Sequence, residues 1–252
     1  MYSCDSIEDA ETLANLKTIP PHDISGENLV NNLFGVCPLA EEIQNIMFES
    51  KEFLKDHEIN QKREIPANMV WLWGQGVTPK LPNFKETYGL DAAVITGVDL
   101  LKGIGTFAGM EIIDVPGATG FFDTDYKAKG EYGIDALKRN DVLFIHIEAP
   151  DEAGHAQLLD EKVKAIEQID KHIVGPILES LEGIEFKAAI LPDHPTPIDI
   201  GTHTRDDVPI IMYSSTRDGD ECESFDEQGV LKGSVEKKEG YKLMERLIDD
   251  DF

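Results

Sequence analysis

Five of the seven histidines lie in the C-terminal half of the chain, and four of these five attract attention because they lie in or near short acidic or polar segments. They occur in four short segments: His146-Ile147-Glu148, Asp151-Glu152-Ala153-Gly154-His155, Asp193-His194 and Thr202-His203. Imidazole nitrogens and carboxylate oxygens at short, repeated spacing are the ligands of divalent metal ions. Because the segments are separate in the sequence, a fold must bring them together. The pattern predicts a metal-dependent active site.

The spacing within these segments has two interpretations. Asp151 and His155 are four positions apart, so on a helical turn both side chains face one direction and can share a metal ion. Alternatively, Asp151 caps the helix and His155 is simply exposed. Asp193 and His194 would point apart on a strand but can converge on a loop, and His203 alone is typical of a surface histidine. Together, each near a predicted strand end, the five residues favour a metal site.

Short apolar runs alternate with helical stretches after Pro66. The runs that predict strands are 69–73, 92–96, 112–115, 142–147, 186–191 and 208–213, and the clearest helical periodicities cover 38–57 and 158–181. Continuous apolar strands separated by helices predict an α/β fold with a mostly parallel sheet flanked by helices. Ligands of such sheets bind beyond the carboxyl ends of the strands, which is where the acidic and histidine segments lie.

The composition limits the classes of partner. With 49 acidic and 23 basic residues the chain carries a formal charge of -26, which argues against nucleic acid and anionic membranes as partners. A small anionic substrate would need metal ions and a few basic side chains to reverse the local field. The three cysteines form no CxxC pair and no apolar run reaches transmembrane length. These features predict a soluble protein of the reducing cytoplasm.

The sequence also offers candidate contacts for an anionic substrate. Gly117-Ala118-Thr119-Gly120 resembles a phosphate-binding turn before a basic helix, although a plain strand-to-helix turn also fits. His22 and Asp23, after a double proline, fit either a substrate contact or a turn. His146, inside an apolar run, is predicted to be a core residue or to support a metal ligand. The basic candidates are Lys127, Lys129 and Arg63.

Longer stretches of the chain match one family in order. They are 21–26, 66–76, 98–104, 116–120, Glu148-Ala149-Pro150-Asp151-Glu152-Ala153-Gly154-His155, Pro192-Asp193-His194-Pro195-Thr196-Pro197 and Thr202-His203-Thr204. In these stretches the chain resembles the archaeal-type, cofactor-independent phosphoglycerate mutases, a branch of the alkaline phosphatase superfamily of metalloenzymes. The resemblance covers nearly all of the sequence and implies an alkaline-phosphatase-like α/β fold.

The resemblance implies a specific chemistry. Family members hold two divalent ions, usually manganese, with zinc, cobalt or magnesium as alternatives, and need no 2,3-bisphosphoglycerate. Asp151, His155 and His203 would bind one ion, and Asp193 with His194 would bind the other. A serine from the N-terminal part of the family's fold takes the phosphoryl group of 3-phosphoglycerate and returns it to the other hydroxyl. The residues implied as substrate contacts are Lys129, Lys127, Arg63, His22 and Asp23.

The chain also departs from the family pattern. Family members open with an Asp-Gly strand end and the serine nucleophile, and no segment here matches either. We therefore expect a fold without its N-terminal part, with 1–65 as a remnant of the smaller inserted domain and 66–252 as the metal-binding domain. The missing segment or a partner subunit would complete the enzyme. Two alternatives remain: a phosphotransferase of the homoserine-kinase type from the same family, or a non-catalytic metal-binding fragment.

Overall fold

The computed structural model describes residues 6–24, 26–35, 37–77 and 79–252, and gives the backbone alone at Ile7, His22 and Asp23. The chain forms two compact units, Met1–Lys80 and Leu81–Phe252. Among the described residues, no helix is both long and apolar enough to cross a membrane.

The first unit is built around one long helix. Its α-helices are α1 (Ile7–Ala14), α2 (Pro38–Asp56) and α3 (Glu58–Gln61), with 3-10 turns at Pro21–Ile24 and Leu29–Asn32. Pro38 starts α2, as the sequence predicts, because proline fits the first helical turn and needs no hydrogen-bond partner there. The α2 residues Ala40, Ile43 and Met47 form the apolar core of this unit with Leu13 and Phe34.

The apolar run 69–73 is not a strand, and that prediction was wrong. The main-chain N–H of Val70 donates to the Ser50 hydroxyl at 2.9 Å, and the indole N–H of Trp71 donates to the Ile19 carbonyl at 2.8 Å. Met69, Trp71 and Leu72 pack against the core of the first unit. The run is therefore apolar because it covers α2, and 66–80 belongs with the first unit, whereas the sequence placed the boundary at 65/66.

The second unit contains the five strands and the remaining helices. The strands are β1 (Ala92–Ile95), β2 (Glu111–Ile112), β3 (Val142–Ile145), β4 (Lys187–Ile190) and β5 (Ile211–Ser214). The α-helices are α4 (Phe84–Tyr88), α5 (Asp99–Phe107), α6 (Tyr126–Ala136), α7 (Ala149–His155), α8 (Leu159–Ile169), α9 (Gly175–Ser180) and α10 (Leu243–Asp249). Short 3-10 turns lie at Gly229–Lys232 and Gly240–Lys242.

Three strands form a parallel sheet in the order β2-β1-β3. The central strand β1 is buried along its whole length, and it pairs with β3 from Ala92 opposite Val142 to Ile95 opposite Ile145. Its side chains pack with Ile113 and Ala136 in the apolar core. This confirms the prediction of an α/β fold with a parallel sheet, since a strand covered on both faces reads as a continuous apolar run.

The last two strands depart from the predicted parallel arrangement. β4 and β5 pair antiparallel, with Lys187 opposite Ser214 and Ile190 opposite Ile211. The segment 191–210 between them contains no helix. The chain therefore reverses its direction between β4 and β5 through a connection of turns and irregular structure. This connection carries three of the predicted metal ligands, Asp193, His194 and His203.

The helix predicted over 158–181 is interrupted. It consists of α8, a π-helical turn at Asp170–Val174, and α9. Pro176 lies in the first turn of α9 and offers no N–H for the ladder, which explains a local change of hydrogen bonding before it. Gly130 of α6 packs so closely here that an added Cβ would lie 2.1 Å from the His172 carbonyl oxygen.

Candidate metal centre

The first two predicted ligands, Asp151 and His155, lie on α7, which follows β3 of the parallel sheet. β3 ends at Ile145, and α7 begins at Ala149 with Pro150 in its first turn. Asp151 and His155 are one helical turn apart, and Asp151 Oδ2 lies 3.3 Å from His155 Nε2. The spacing of four therefore places both side chains on one face, as the metal interpretation predicts.

The connection between β4 and β5 brings the other histidines to the same place. His203 Nε2 lies 3.3 Å from Asp151 Oδ1 and 3.0 Å from His155 Nε2. The rings of His194 and His203 stack with their centres 3.8 Å apart. One ligand atom each from Asp151, His194 and His203 lies within 4.8 Å of the others, which is a spacing that can hold a metal ion.

The hydrogen bonds of His155 fit a metal ligand. Its Nδ1 lies 3.0 Å from the carbonyl oxygen of Gly201. A carbonyl oxygen only accepts hydrogen bonds, so Nδ1 carries the proton and Nε2 keeps its lone pair. This lone pair faces Asp151 and His203. A carbonyl that fixes the ring in this way is the usual support of a metal-binding histidine.

Asp193 and His194 form the other predicted pair of ligands. His194 Nε2 lies 3.4 Å from Asp193 Oδ2, while His194 Nδ1 lies 3.9 Å from Asp151 Oδ1. His194 thus adjoins both predicted groups, and Asp193, with its side chain 71% exposed, lies at the outer edge. All five predicted ligands meet in one cluster, which we call the His/Asp cluster: Asp151, His155, Asp193, His194 and His203.

A buried lysine lies beside the strand that leads into α7. Lys129 is fully buried, and its ammonium group donates to the His146 carbonyl at 3.4 Å. Burial lowers the pKa of Lys129 from its ordinary value of 10.5 to about 8, against the opposing effect of the Glu148 carboxylate. Lys129 is therefore a cation held in a site that disfavours its charge.

His146 and Glu148 connect this lysine to the cluster. His146 Nε2 lies 3.1 Å from Glu148 Oε2, and its Nδ1 lies 3.3 Å from the Thr96 hydroxyl. Burial lowers the pKa of His146. Burial and the neighbouring Asp151 raise the pKa of Glu148. His146 is thus a partly buried, hydrogen-bonded residue behind the cluster, in agreement with its predicted supporting position.

A model of the metalloenzyme superfamily matches residues 3–244 of the chain. The chain belongs to the metalloenzyme superfamily. It is 48% identical to 2,3-bisphosphoglycerate-independent phosphoglycerate mutase 2 of Methanothermobacter thermautotrophicus, with 93% of this chain and 60% of the relative covered. It is 44% identical to the mutase of Methanosarcina acetivorans, with 93% and 61% covered. The chain therefore spans about 60% of the length of these relatives.

Solved structures of similar proteins agree with this family. The PH0037 protein of Pyrococcus horikoshii superposes with a TM-score of 0.71 at 30% identity, covering 84% of this chain and 56% of the other. The cofactor-independent phosphoglycerate mutase of Thermoplasma acidophilum superposes with a TM-score of 0.52 at 25% identity, covering 84% and 52%. The resemblance inferred from the sequence motifs is thereby confirmed.

The other candidate contacts of this metalloenzyme are an exposed lysine, an arginine of the first unit, and two residues whose side chains are not described. Lys127 is 71% exposed, and its Nζ lies 3.5 Å from Glu131 Oε1 one turn further along α6. Arg63 lies in the first unit, where its Nε donates to the Ile65 carbonyl at 3.4 Å. The side chains of His22 and Asp23 lie outside the described residues.

The glycine-containing turn before α6 favours the simpler of its two interpretations. Asp125 caps α6 by accepting from the main-chain N–H of Ala128 at 2.9 Å. Gly117 has a φ of 80°, and its carbonyl accepts from the N–H of Asp125 at 2.9 Å. A side-chain carboxylate thus occupies the position that a bound phosphate would take at this helix end.

Sequence reasoning missed the role of Thr196. This residue was noted only as part of a matching stretch, yet its hydroxyl donates to Asp151 Oδ1 and lies 3.4 Å from His194 Nδ1. Only 4% of Thr196 is exposed. A hydroxyl two positions after a predicted metal ligand, His194, was the available signal, because such a group can reach back to the imidazole ring.

Proposed function

We propose that this chain provides the metal-binding part of a 2,3-bisphosphoglycerate-independent phosphoglycerate mutase, which interconverts 3-phosphoglycerate and 2-phosphoglycerate. The convergence of the His/Asp cluster from α7 and the β4–β5 connection carries the proposal. Relatives that bear this name, at 48% and 44% identity, support it. The reaction serves glycolysis and gluconeogenesis, and the unpaired Cys37 and Cys222 are in keeping with a reducing cytoplasm.

The ligand set supports two sites. Asp151, His155 and His203 would hold one divalent ion, and Asp193 with His194 would hold half of a second site. The mixture of imidazole and carboxylate ligands suits manganese, which the family resemblance favours, and also zinc and cobalt. Two such ions lower the pKa of a hydroxyl nucleophile and stabilise negative charge on a transferring phosphoryl group.

The chain's own residues would orient the substrate and balance its charge. Lys129 would supply positive charge next to the cluster, in a chain with only 23 basic residues. Lys127, Arg63, His22 and Asp23 are proposed as further contacts to the phosphate or carboxylate groups. The partly buried Glu148 would orient the His146 ring, since Glu148 Oε2 lies 3.1 Å from His146 Nε2.

The phosphoryl transfer itself would use a serine from the N-terminal part of the family's fold. The serine oxygen bonds to phosphorus as the bond to the 3-oxygen of the substrate breaks. The 2-hydroxyl then takes the phosphoryl group and regenerates the serine. The relatives extend beyond the stretch that they share with this chain, so the proposed activity belongs to an assembly that includes this serine.

The test is a mutase assay with manganese on the chain alone and together with the N-terminal segment of the Methanothermobacter relative. We expect turnover with the added segment, and at least about a 100-fold loss in the Asp151→Ala variant. Metal analysis of the same samples measures ions per chain. Phosphorylation of homoserine by ATP, in place of mutase turnover, would redirect the proposal to a kinase of the same family. Metal binding without either activity would leave a metal-binding protein, and absence of metal would overturn the site.

A further inference from the structure

Thr196 lies between the two groups of proposed metal ligands. Its hydroxyl donates to Asp151 Oδ1, which belongs to the three-ligand group, and lies 3.4 Å from Nδ1 of His194, which belongs to the other. Asp151 is 45 positions away along the chain, so the contact joins α7 to the β4–β5 connection. The side chain is enclosed, with 4% of the residue exposed.

The chemistry of a hydroxyl decides how these hydrogen bonds run. A threonine hydroxyl has one proton to donate and two lone pairs that accept. The oxygen of the Asp151 carboxylate accepts, and the hydroxyl proton of Thr196 is therefore directed to Asp151. A hydrogen bond between the hydroxyl and His194 Nδ1 then requires that Nδ1 carries a proton. In neutral His194 the Nε2 atom is left with its lone pair, 3.4 Å from Asp193 Oδ2.

The position of Thr196 is fixed from two helices. The ammonium group of Lys162, on α8, donates to the Thr196 carbonyl at 2.6 Å. On α7, Gly154 packs so closely that an added Cβ would lie 2.5 Å from the Thr196 carbonyl oxygen and 2.8 Å from its Cγ2. These contacts leave the hydroxyl little freedom to turn away from Asp151 and His194, since the main chain and the methyl group are both held.

We propose that Thr196 is a positioning residue that fixes the Nδ1–H tautomer of His194 and the orientation of the Asp151 carboxylate. Thr196 thereby couples the two groups of proposed metal ligands. The inference rests on the metal ligands assigned under the proposed function. A supporting hydrogen bond of this kind raises the affinity of a histidine ligand because it fixes both its tautomer and its ring orientation. Here one hydroxyl serves a ligand of each group, so both sites depend on it.

The experiment compares Thr196→Val, which keeps the shape and removes the hydroxyl, with Thr196→Ser, which keeps the hydroxyl. The first readout is the tautomer of His194 in the metal-free, ¹⁵N-labelled protein, measured by long-range ¹H–¹⁵N NMR at a pH where the ring is neutral. We expect the Nδ1–H form in the wild type and in Thr196→Ser. In Thr196→Val we expect a shift toward the Nε2–H form that histidine prefers in water.

The second readout is the affinity for Mn²⁺ and Co²⁺, measured by competition with a chromophoric chelator. We expect Thr196→Val to bind about 10- to 100-fold more weakly, and Thr196→Ser to bind within about 3-fold of the wild type. Thermal unfolding of both variants shows whether the fold is retained. A merely structural threonine would alter stability but not the tautomer.

Each failure has its own signature. Wild-type protein in the Nε2–H form would overturn the role of Thr196, even if Thr196→Val does not fold. Equal metal affinities of the wild type and Thr196→Val would also overturn it. Absence of metal binding by the wild type would instead overturn the proposed function, while the NMR measurement would still test the contact between Thr196 and His194.

Discussion

Nε2 of His155 lies 3.0 Å from Nε2 of His203, although the two residues are 48 positions apart along the chain. His155 Nδ1 is occupied by the Gly201 carbonyl, so its Nε2 presents a lone pair to His203. Asp151 Oδ2 lies 3.3 Å from Nε2 of His155, and Asp151 Oδ1 lies 3.3 Å from Nε2 of His203. Three electron-pair donors that face one another in this way are arranged for a shared cation.

The first prediction concerns the charge of Asp151. In Asp151→Asn the side chain keeps its shape but loses the negative charge, so we expect at least about a 100-fold loss of Mn²⁺ affinity and one fewer ion per chain. Metal analysis after equilibrium dialysis measures both. Asp160→Asn, at an exposed position of α8, is the matched control and should bind as the wild type does. Equal metal content in the two variants would contradict the assignment.

The second prediction concerns the buried Lys129. Its pKa is lowered to about 8 in the folded protein, against an ordinary 10.5, so the unfolded chain binds more protons between these pH values. Stability should therefore rise with pH across this window, and the cost of the buried charge is fully present below pH 8. At 1.36 kcal/mol per pKa unit, the rise attributable to Lys129 is roughly 3 kcal/mol.

The measurement is the free energy of unfolding by denaturant at several pH values, followed by far-UV circular dichroism. Lys129→Met should be more stable than the wild type near pH 7, and this difference should shrink toward pH 10.5. Lys127→Met, at an exposed position of the same helix, should parallel the wild type throughout. If the difference in the free energy of unfolding between Lys129→Met and the wild type does not change with pH, burial does not disfavour the charge of Lys129.

The third prediction concerns the packing of α7. Gly154→Ala places a Cβ 2.5 Å from the Thr196 carbonyl oxygen, so we expect a loss of about 1–3 kcal/mol in the free energy of unfolding. Gly103→Ala, in open space on α5, should instead add about 0.5–1 kcal/mol because alanine loses less backbone entropy. Thermal and denaturant unfolding compare the two. Similar behaviour of both variants would mean that α7 and the β4–β5 connection are not tightly packed.

The fourth prediction concerns the first unit. The Asn60 amide donates to the carbonyls of Leu54 and Ala67 at 2.8 and 2.6 Å, and its oxygen accepts from the Ala67 N–H at 2.7 Å. Asn60→Ala leaves these groups without their partner, so we expect a loss of about 2–4 kcal/mol. Asn45→Ala, at an exposed position of α2, should have little effect.

Tryptophan fluorescence measures this effect selectively. Both tryptophans of the chain, Trp71 and Trp73, lie in the first unit, so their emission reports the unfolding of that unit. The far-UV signal reports both units. An Asn60→Ala variant whose tryptophan transition coincides with that of the wild type would show that the loop at Ala67 does not depend on this amide.

The sequence predicts that Asp151 and His155 lie together because local rules place their side chains. A spacing of four on a helix determines that Asp151 and His155 share a face, and the end of β3 determines where that face lies. Such inferences need only periodicity and the polarity of a parallel sheet.

Other features depend on contacts that no pattern records. The run 69–73 has the apolar composition of a strand, but its backbone bonds to Ser50 and its side chains cover α2. The antiparallel direction of β5 relative to β4 depends on the path of the chain between His203 and β5. The contact of Thr196 with Asp151 joins residues 45 positions apart, and only their final positions reveal it. Tertiary packing decides each of these cases.

The antiparallel connection between β4 and β5 has a consequence for folding. It carries His194 and His203, whereas Asp151 and His155 follow the separate parallel sheet. An ion held by both sets would act as a cross-link that closes a long loop of the chain, much as a disulfide does. The unfolding temperature of the second unit should then rise with the logarithm of the free metal concentration. A divalent ion bound in this way would stabilise the fold of the second unit in addition to its proposed role in the reaction.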